Sequence, residues 1–218
     1  MGIYKAGMAF IVEGATEKVF YTEYLRDFAQ SNEYTFSEIE SMEYYDYEVG
    51  SPVGKVLIKI RDVGTVSQIA NAGVWFKSVC VGQYDVIPWH VFLGYDTDGY
   101  NGDISKFRDG DWANLRKDLS DAACVIDLAA EADIEDIMLY DSKSILAFLG
   151  LSLDTPIPSG NKGKSKMKKL YLDPCNPYHE GDRARKMIRC LDFSLIAQKA
   201  PIPLLEINKL LDAELKPD

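Results

Sequence analysis

Three short apolar runs constrain this chain more than any other feature: AGMAFIV at 6–12, WHVFLGY at 89–95 and ACVIDLA at 123–129. Each has the length and composition of a buried β-strand. Between them the pattern turns helical. Thr16–Gln30 puts Val19, Phe20, Tyr24 and Phe28 on one face, and Thr16 stands where it can cap the helix start. Residues 38–47, rich in Glu and Tyr, and 55–60, KVLIKI, are expected as further strands, with Gly50, Pro52 and Gly54 marking a turn region between them. A helix is expected over Thr65–Gln83, loosened by Gly73 and by β-branched residues. Another is expected near 111–121, and short helices near 134–149, 164–171, 180–190 and 203–214. Strands alternating with helices up to about residue 130 predict an α/β fold, a mostly parallel sheet with helices on its faces. The proline-punctuated last third then forms a helical extension.

The 218 residues suit one domain with an appendage, divided as 1–150 and 151–218. No apolar run approaches the ~20 residues that span a bilayer, and Met1–Gly14 lacks the basic and apolar regions of a signal peptide. Ala6 stands where a myristoylation signal requires Ser or Thr. Cys80, Cys124, Cys175 and Cys190 are far apart, which predicts reduced thiols in a cytoplasmic protein with no zinc site. The net charge of −10 argues against coating nucleic acid by charge alone. That charge is unevenly spread. Residues 162–189 hold nine basic against three acidic side chains, a net of +6, so the rest of the chain carries −16. Most such runs are solvated faces; the alternative is a polyanion contact through Lys164, Lys166, Lys168 and Lys169.

Ligands of open α/β sheets bind beyond the carboxyl ends of the strands. Two expected strands end in acid: Glu13 follows AFIV, and Asp96 and Asp98 follow VFLGY. Asp133, Glu135 and Asp136 follow the third. Any one of these could be a loop residue or a helix cap. Acids gathered at one sheet edge repel one another unless a cation lies among them, and Mg²⁺ takes hard oxygen ligands of this kind.

FIVEGATEKVFYTEYL resembles the opening motif of Toprim domains, an apolar strand followed by Glu-Gly and a helix, and VFLGYDTDG resembles their Asp-x-Asp motif. IEDIMLYDSKSILAFL is similar to a segment of small bacterial Toprim-like proteins related to the OLD nucleases and the RloB-like defence proteins. A Lys-rich stretch and a helical tail follow that segment there too. The resemblance covers most of the chain in order; motif order and spacing carry it, since no single motif is highly specific.

The resemblance implies a Toprim-like, Rossmann-like domain and Mg²⁺-dependent phosphodiester cleavage of nucleic acid, with Mn²⁺ as a substitute ion, in a setting such as bacterial defence. Glu13 matches the acid/base glutamate and could instead be a second metal ligand, Asp96 and Asp98 match the metal-binding pair, and Glu135 matches the downstream acid that completes or orients the metal shell; Gly14 would allow a tight backbone turn beside them. The stretch between Glu13 and Asp96 is longer than in compact Toprim domains, so residues 31–88 are expected to hold an added hairpin and helix. No ATPase segment is present, so an OLD-type ATPase partner would be a separate chain.

Two alternatives stay open. The first is a non-catalytic Toprim module that binds nucleic acid, a nucleotide or a partner ATPase. The second is a haloacid-dehalogenase-like phosphatase with Asp96 as nucleophile; against it, Tyr100 stands where that motif has Thr or Val, and Glu13 is left unexplained. An EF-hand from Asp96 fails at Asn101 and Phe107. Gly163-Lys164-Ser165 mimics the end of a P-loop, but no strand is expected before it. His90 suits a core position, His179 is a weaker phosphate-contact candidate, and Tyr44–Tyr47 suits a strand better than a base-stacking surface.

Overall fold

The computed structural model describes residues 4–39, 45–64, 68–97, 111–172 and 177–217. The chain runs β1 (Tyr4–Val12), α1 (Ala15–Ser31), β2 (Thr35–Ile39), β3 (Tyr45–Ser51), β4 (Gly54–Asp62), α2 (Ile69–Trp75) and a π-helical segment (Phe76–Val81). Next come β5 (Trp89–Asp96), α3 (Asp111–Asp118), β6 (Cys124–Ala130), α4 (Ile134–Met138), a 3₁₀ turn (Leu139–Asp141) and α5 (Ser142–Phe148). The last part holds α6 (Gly163–Leu170), a 3₁₀ turn (Gly181–Ala184), α7 (Arg185–Ile188), α8 (Phe193–Lys199) and α9 (Leu204–Leu215).

The six strands form one mixed sheet in the order β2-β3-β4-β1-β5-β6. β4, β1, β5 and β6 pair in parallel, and β3 and β2 extend the β4 edge antiparallel. β1 sits centrally because it is apolar on both faces. Met8, Phe10 and Val12 enter one core with α1 and the C-terminal helices, while Ala9 and Ile11 enter the other with α2 and α3. That alternation is the period-2 signature of a strand covered on both sides. α1 buries the four expected residues and also Tyr21, Thr22 and Glu23. Its Phe20 and Tyr24 meet the ring of Phe193 at 5.5 and 5.6 Å between centroids. α9 reaches the same core through Leu204, Ile207 and Leu211, and the Tyr24 hydroxyl donates to Asn208 Oδ1 at 2.8 Å.

Several local expectations are corrected. The strand expected over 38–47 is two antiparallel strands, β2 and β3, with 40–44 between them outside the described residues. The expected helix over 65–83 is α-helical only over Ile69–Trp75 and continues as a π-helix; 65–67 lie outside the described residues. Thr16 does not cap α1. Gly14 occupies the cap position without a side-chain bond, and the Thr16 hydroxyl accepts the Gly181 N–H at 3.0 Å. Gly14 itself is extended (φ −145°), a conformation open to any residue. Its small size matters through Glu17, whose Oε2 would lie 3.0 Å from an added Cβ. A helix at Phe193–Lys199 was not expected from the sequence.

Among the described residues no helix is long and apolar enough to cross a membrane, and Cys80, Cys124 and Cys190 are free thiols.

The C-terminal segment is tied to α1 by charge. Glu23, with a side chain only 1% exposed, meets Arg185 at 2.5 Å, Arg189 at 2.9 Å and Arg26 at 3.2 Å. Burial opposes its ionisation, but the hydrogen bonds from Arg189 and Arg185 outweigh that and hold its pKa below the ordinary glutamate value. A lowered carboxyl pKa contributes stability above the unfolded-state pKa, and that stability is lost as pH falls through the folded-state value. Glu23→Gln is therefore expected to cost roughly 1–2 kcal/mol at neutral pH. The cost should fade under acid conditions, as read from urea midpoints at pH 7 and pH 4; an equal cost at both would exclude the charge as its source.

Candidate functional site

Parallel pairing brings three strand ends to one edge. Val12 is in register with Gly94, and Asp96 with Ala130. The backbone stays bonded just past those ends: Glu13 N–H donates to Gly94 O at 2.8 Å, and Thr97 N–H to Ala130 O at 3.0 Å. β1 and β5 flank the point where the chain changes direction across the sheet, since β4 lies on one side of β1 and β5 on the other. This is where open α/β sheets leave a crevice.

Glu13 and Asp96 face each other across that point. The Asp96 N–H donates to Glu13 Oε2 at 3.0 Å, which fixes the Glu13 carboxylate against β5. Glu17, one turn into α1, is buried on the same side at 6% exposure. Asp133 (4%) and Glu135 (3%) arrive from the segment after β6. Asp133 caps α4 by accepting the Asp136 N–H at 3.0 Å, and it accepts the Lys164 N–H at 3.0 Å as well. Glu135 accepts the Tyr178 hydroxyl at 2.8 Å.

The five acids are electrostatic neighbours. Burial first, then the charges of Glu17, Glu13, Asp133 and Glu135, push the Asp96 carboxyl up to about 9. Burial pushes Glu17 up to about 7, partly offset by its backbone hydrogen bond and reinforced by Glu135, Glu13 and Asp133. Burial also pushes Glu135 up to about 7 against the lowering effect of the Tyr178 hydrogen bond. Lys164 brings a cation into the field of Glu135 and Asp133. Its ammonium is engaged by Glu180 at 2.6 Å, and that hydrogen bond raises its pKa above the ordinary lysine value.

Carboxylate oxygens are the donor type that a hard cation takes. Asp96 Oδ1 is buried with no hydrogen-bond partner among the described residues. A buried carboxylate oxygen left in that state is costly unless it is protonated or meets a cation. Among the described residues, no group of three His, Cys, Asp or Glu side chains is placed to hold a metal ion. The acids therefore share a field without being drawn onto one point, and a cation would have to gather them. Asp98 lies outside the described residues.

The expected residues divide accordingly. Glu13, Asp96 and Glu135 come together electrostatically at one edge. Glu17 and Tyr178 were missed, and Asp133, named with the third acid group, was given no role of its own. Glu17 could have been found as the acid in the first turn of the helix that follows Glu13-Gly14. Tyr178 carried no signal, because only the fold brings residue 178 to residue 135. Of the four lysines, Lys164 pairs with Glu180, Lys166 with Asp136 at 2.7 Å, and Lys169 donates to Ser159 O at 2.7 Å. Lys168 is exposed. A polyanion would compete with those local partners.

Two glycines hold the far wall. Gly163 begins α6 so close to the acidic segment that an added Cβ would lie 2.5 Å from both Asp133 Oδ1 and the Glu135 carbonyl carbon, and closer still to the Asp136 nitrogen. Gly181 takes a left-handed φ of +65°, which costs glycine little, and so presents its N–H to Thr16.

Tyr178→Phe should leave one oxygen of Glu135 without its donor. The expected cost is about 1 kcal/mol, with Glu135 titrating at still higher pH. Carboxyl NMR of the two proteins checks this, and an unmoved Glu135 titration would show the hydroxyl to be incidental.

No model of a known protein family matches the chain, and no curated protein matches it either.

Proposed function

We propose that this chain is a Toprim-like, Mg²⁺-dependent phosphoryl-transfer protein acting on nucleic acid, most simply by cleaving phosphodiesters. One observation carries the reading: buried Glu17, Asp133 and Glu135 gather with Asp96, whose N–H holds Glu13, at the switch point in the parallel part of the sheet. Such an edge is costly as bare carboxylates and favourable around a divalent ion. Asp96 would hold the cation with Asp98, the pair expected from the sequence, and the ion would have to draw in Glu17 and Glu135, which do not stand together as ligands without it. Bound there, Mg²⁺ supplies charge stabilisation and an activated water.

The chain's own groups do the rest. Glu13, held by the Asp96 N–H, is placed to move a proton at the sheet edge. The Tyr178 hydroxyl fixes the orientation of Glu135. Lys164 stays charged beside the acids and offers a phosphate contact once it leaves Glu180.

The test is cleavage of labelled single- and double-stranded DNA and RNA with Mg²⁺, Mn²⁺ or EDTA. Products are expected only with the metals, and at rates that fall with added salt. Cleavage in EDTA would sink the proposal. Metal binding without cleavage of any substrate would leave a binding module in its place.

A further inference from the structure

Next to the Asp133–Asp136 segment lies a cleft of about 600 Å³, lined among others by Asp136, Tyr140, Ile157, Pro158, Asn161 and Lys166. Its size is in the range of clefts that hold small ligands, and its lining mixes polar groups with apolar ones, polar surface prevailing. We propose that this cleft receives a nucleobase, the one next to the phosphate held at the acidic edge. The assignment rests on the proposed function for the phosphate and on the cleft itself for the base.

Tyr140, 40% exposed on the 3₁₀ turn after α4, offers a ring among half-buried and exposed neighbours. Aromatic rings bind bases by stacking, with little regard to sequence. Ile157 and Pro158 add flat apolar surface, and Ile157 is itself packed against the main core. The Asn161 amide carries both a donor and an acceptor, which suits a base edge. Asp136 and Lys166 are paired at 2.7 Å with half-buried side chains, so a charged group is fixed at the cleft wall.

The cleft and the acidic edge share one wall. Asp136 Oδ2 accepts the Gly163 N–H at 2.9 Å, while Asp133, three residues earlier, accepts the Lys164 N–H. Glu131, which also lines the cleft, accepts the Thr97 hydroxyl through its carbonyl, directly after Asp96. A nucleotide with its base in the cleft would share this wall with the acids that are proposed to meet its phosphate.

Binding can be read without catalysis. Full-length protein in EDTA is titrated with a fluorescein-labelled single-stranded 10-mer, with the same 10-mer carrying one abasic site at each position in turn, and with free nucleoside monophosphates. Tyr140→Ala and Asn161→Ala are compared with wild type after thermal melts confirm folding, and Tyr140→Phe serves as the conservative control. The expected result is a loss of affinity of about tenfold or more for Tyr140→Ala, recovery in Tyr140→Phe, and a matching loss at one abasic position. Tyr140-dependent binding confined to free mononucleotides would make the occupant a free nucleotide with the same base chemistry. Equal affinity of wild type and Tyr140→Ala for every probe, or no binding of any, overturns the proposal. Tyr140-dependent binding in a protein that neither binds metal nor cleaves would leave the cleft assigned and remove only the phosphoryl-transfer reading.

Discussion

Replacing Asp96 with Asn is expected to make the metal-free protein more stable while removing metal-dependent cleavage. Asn keeps the backbone N–H that holds Glu13, and it removes a carboxyl that burial and four neighbouring acids disfavour as an anion. The gain at pH 8 should be roughly 1–3 kcal/mol, or a rise of about 5 °C in melting temperature for a chain of this size. Cleavage should drop on the order of 10³-fold or more, because the substitution weakens the cation's hold.

The sign of the pH dependence follows from the direction of the shifts. Asp96, Glu17 and Glu135 all have folded-state pKa values above their ordinary ones, at about 9, 7 and 7. Between the ordinary carboxyl range and those values the folded protein holds protons that the unfolded chain has released. Stability of the metal-free protein should therefore fall as pH rises from about 4 to 9. Asp96→Asn should flatten the upper part of that slope. A variant less stable than wild type at pH 8, with the slope unchanged, would mean that other groups of the folded chain hold Asp96 as an anion.

Gly163→Ala should be among the most damaging single-methyl changes in the chain. The new Cβ has no flexible side chain to push aside, since its nearest neighbours are backbone atoms of Glu135 and Asp136 and the Asp133 carboxylate. α6 would have to move off α4, breaking the Gly163–Asp136 and Lys164–Asp133 hydrogen bonds. Overpacking against backbone together with those losses should cost about 3 kcal/mol or more, and metal affinity should fall with it as Glu135 shifts. Urea midpoints and Mn²⁺ titration check both. A cost below about 0.5 kcal/mol would show that α6 can slide freely, and that the acidic wall is not set by this contact.

What could be read from the sequence depended on the range of the signal. The strands at 6–12, 89–95 and 123–129 and the helix after Glu13 appear within a few residues of their expected bounds: burial on both faces leaves β1 and β5 continuous apolar runs, and β6, half-buried at the sheet edge, keeps a largely apolar one. Glu13 and Asp96 were legible for the same reason: each directly follows such a run, and parallel pairing then sets both at one edge. The hairpin between β2 and β3 was not, since alternating Glu and Tyr suit a strand on either side of a turn. The π-helical segment after Trp75 has no pattern of its own. Tyr178 and Gly163 could not be found, because their roles exist only once the C-terminal segment packs against α1 and α4. The basic run was legible as charge, but Lys164, Lys166 and Lys169 turn out to be engaged with Glu180, Asp136 and Ser159 O.

The central claim is that the acidic edge is a divalent-cation site, and calorimetric titration of the metal-free protein with Mn²⁺ tests it most directly. Wild type, Asp96→Asn and Glu17→Gln would be compared at pH 7 in two buffers of different ionisation heat. Wild type should bind Mn²⁺ with release of protons, because carboxyls that hold protons at this pH must give them up to the ion, and both variants should bind far more weakly. Equal binding by all three proteins, or wild-type binding with no proton release, would contradict the account.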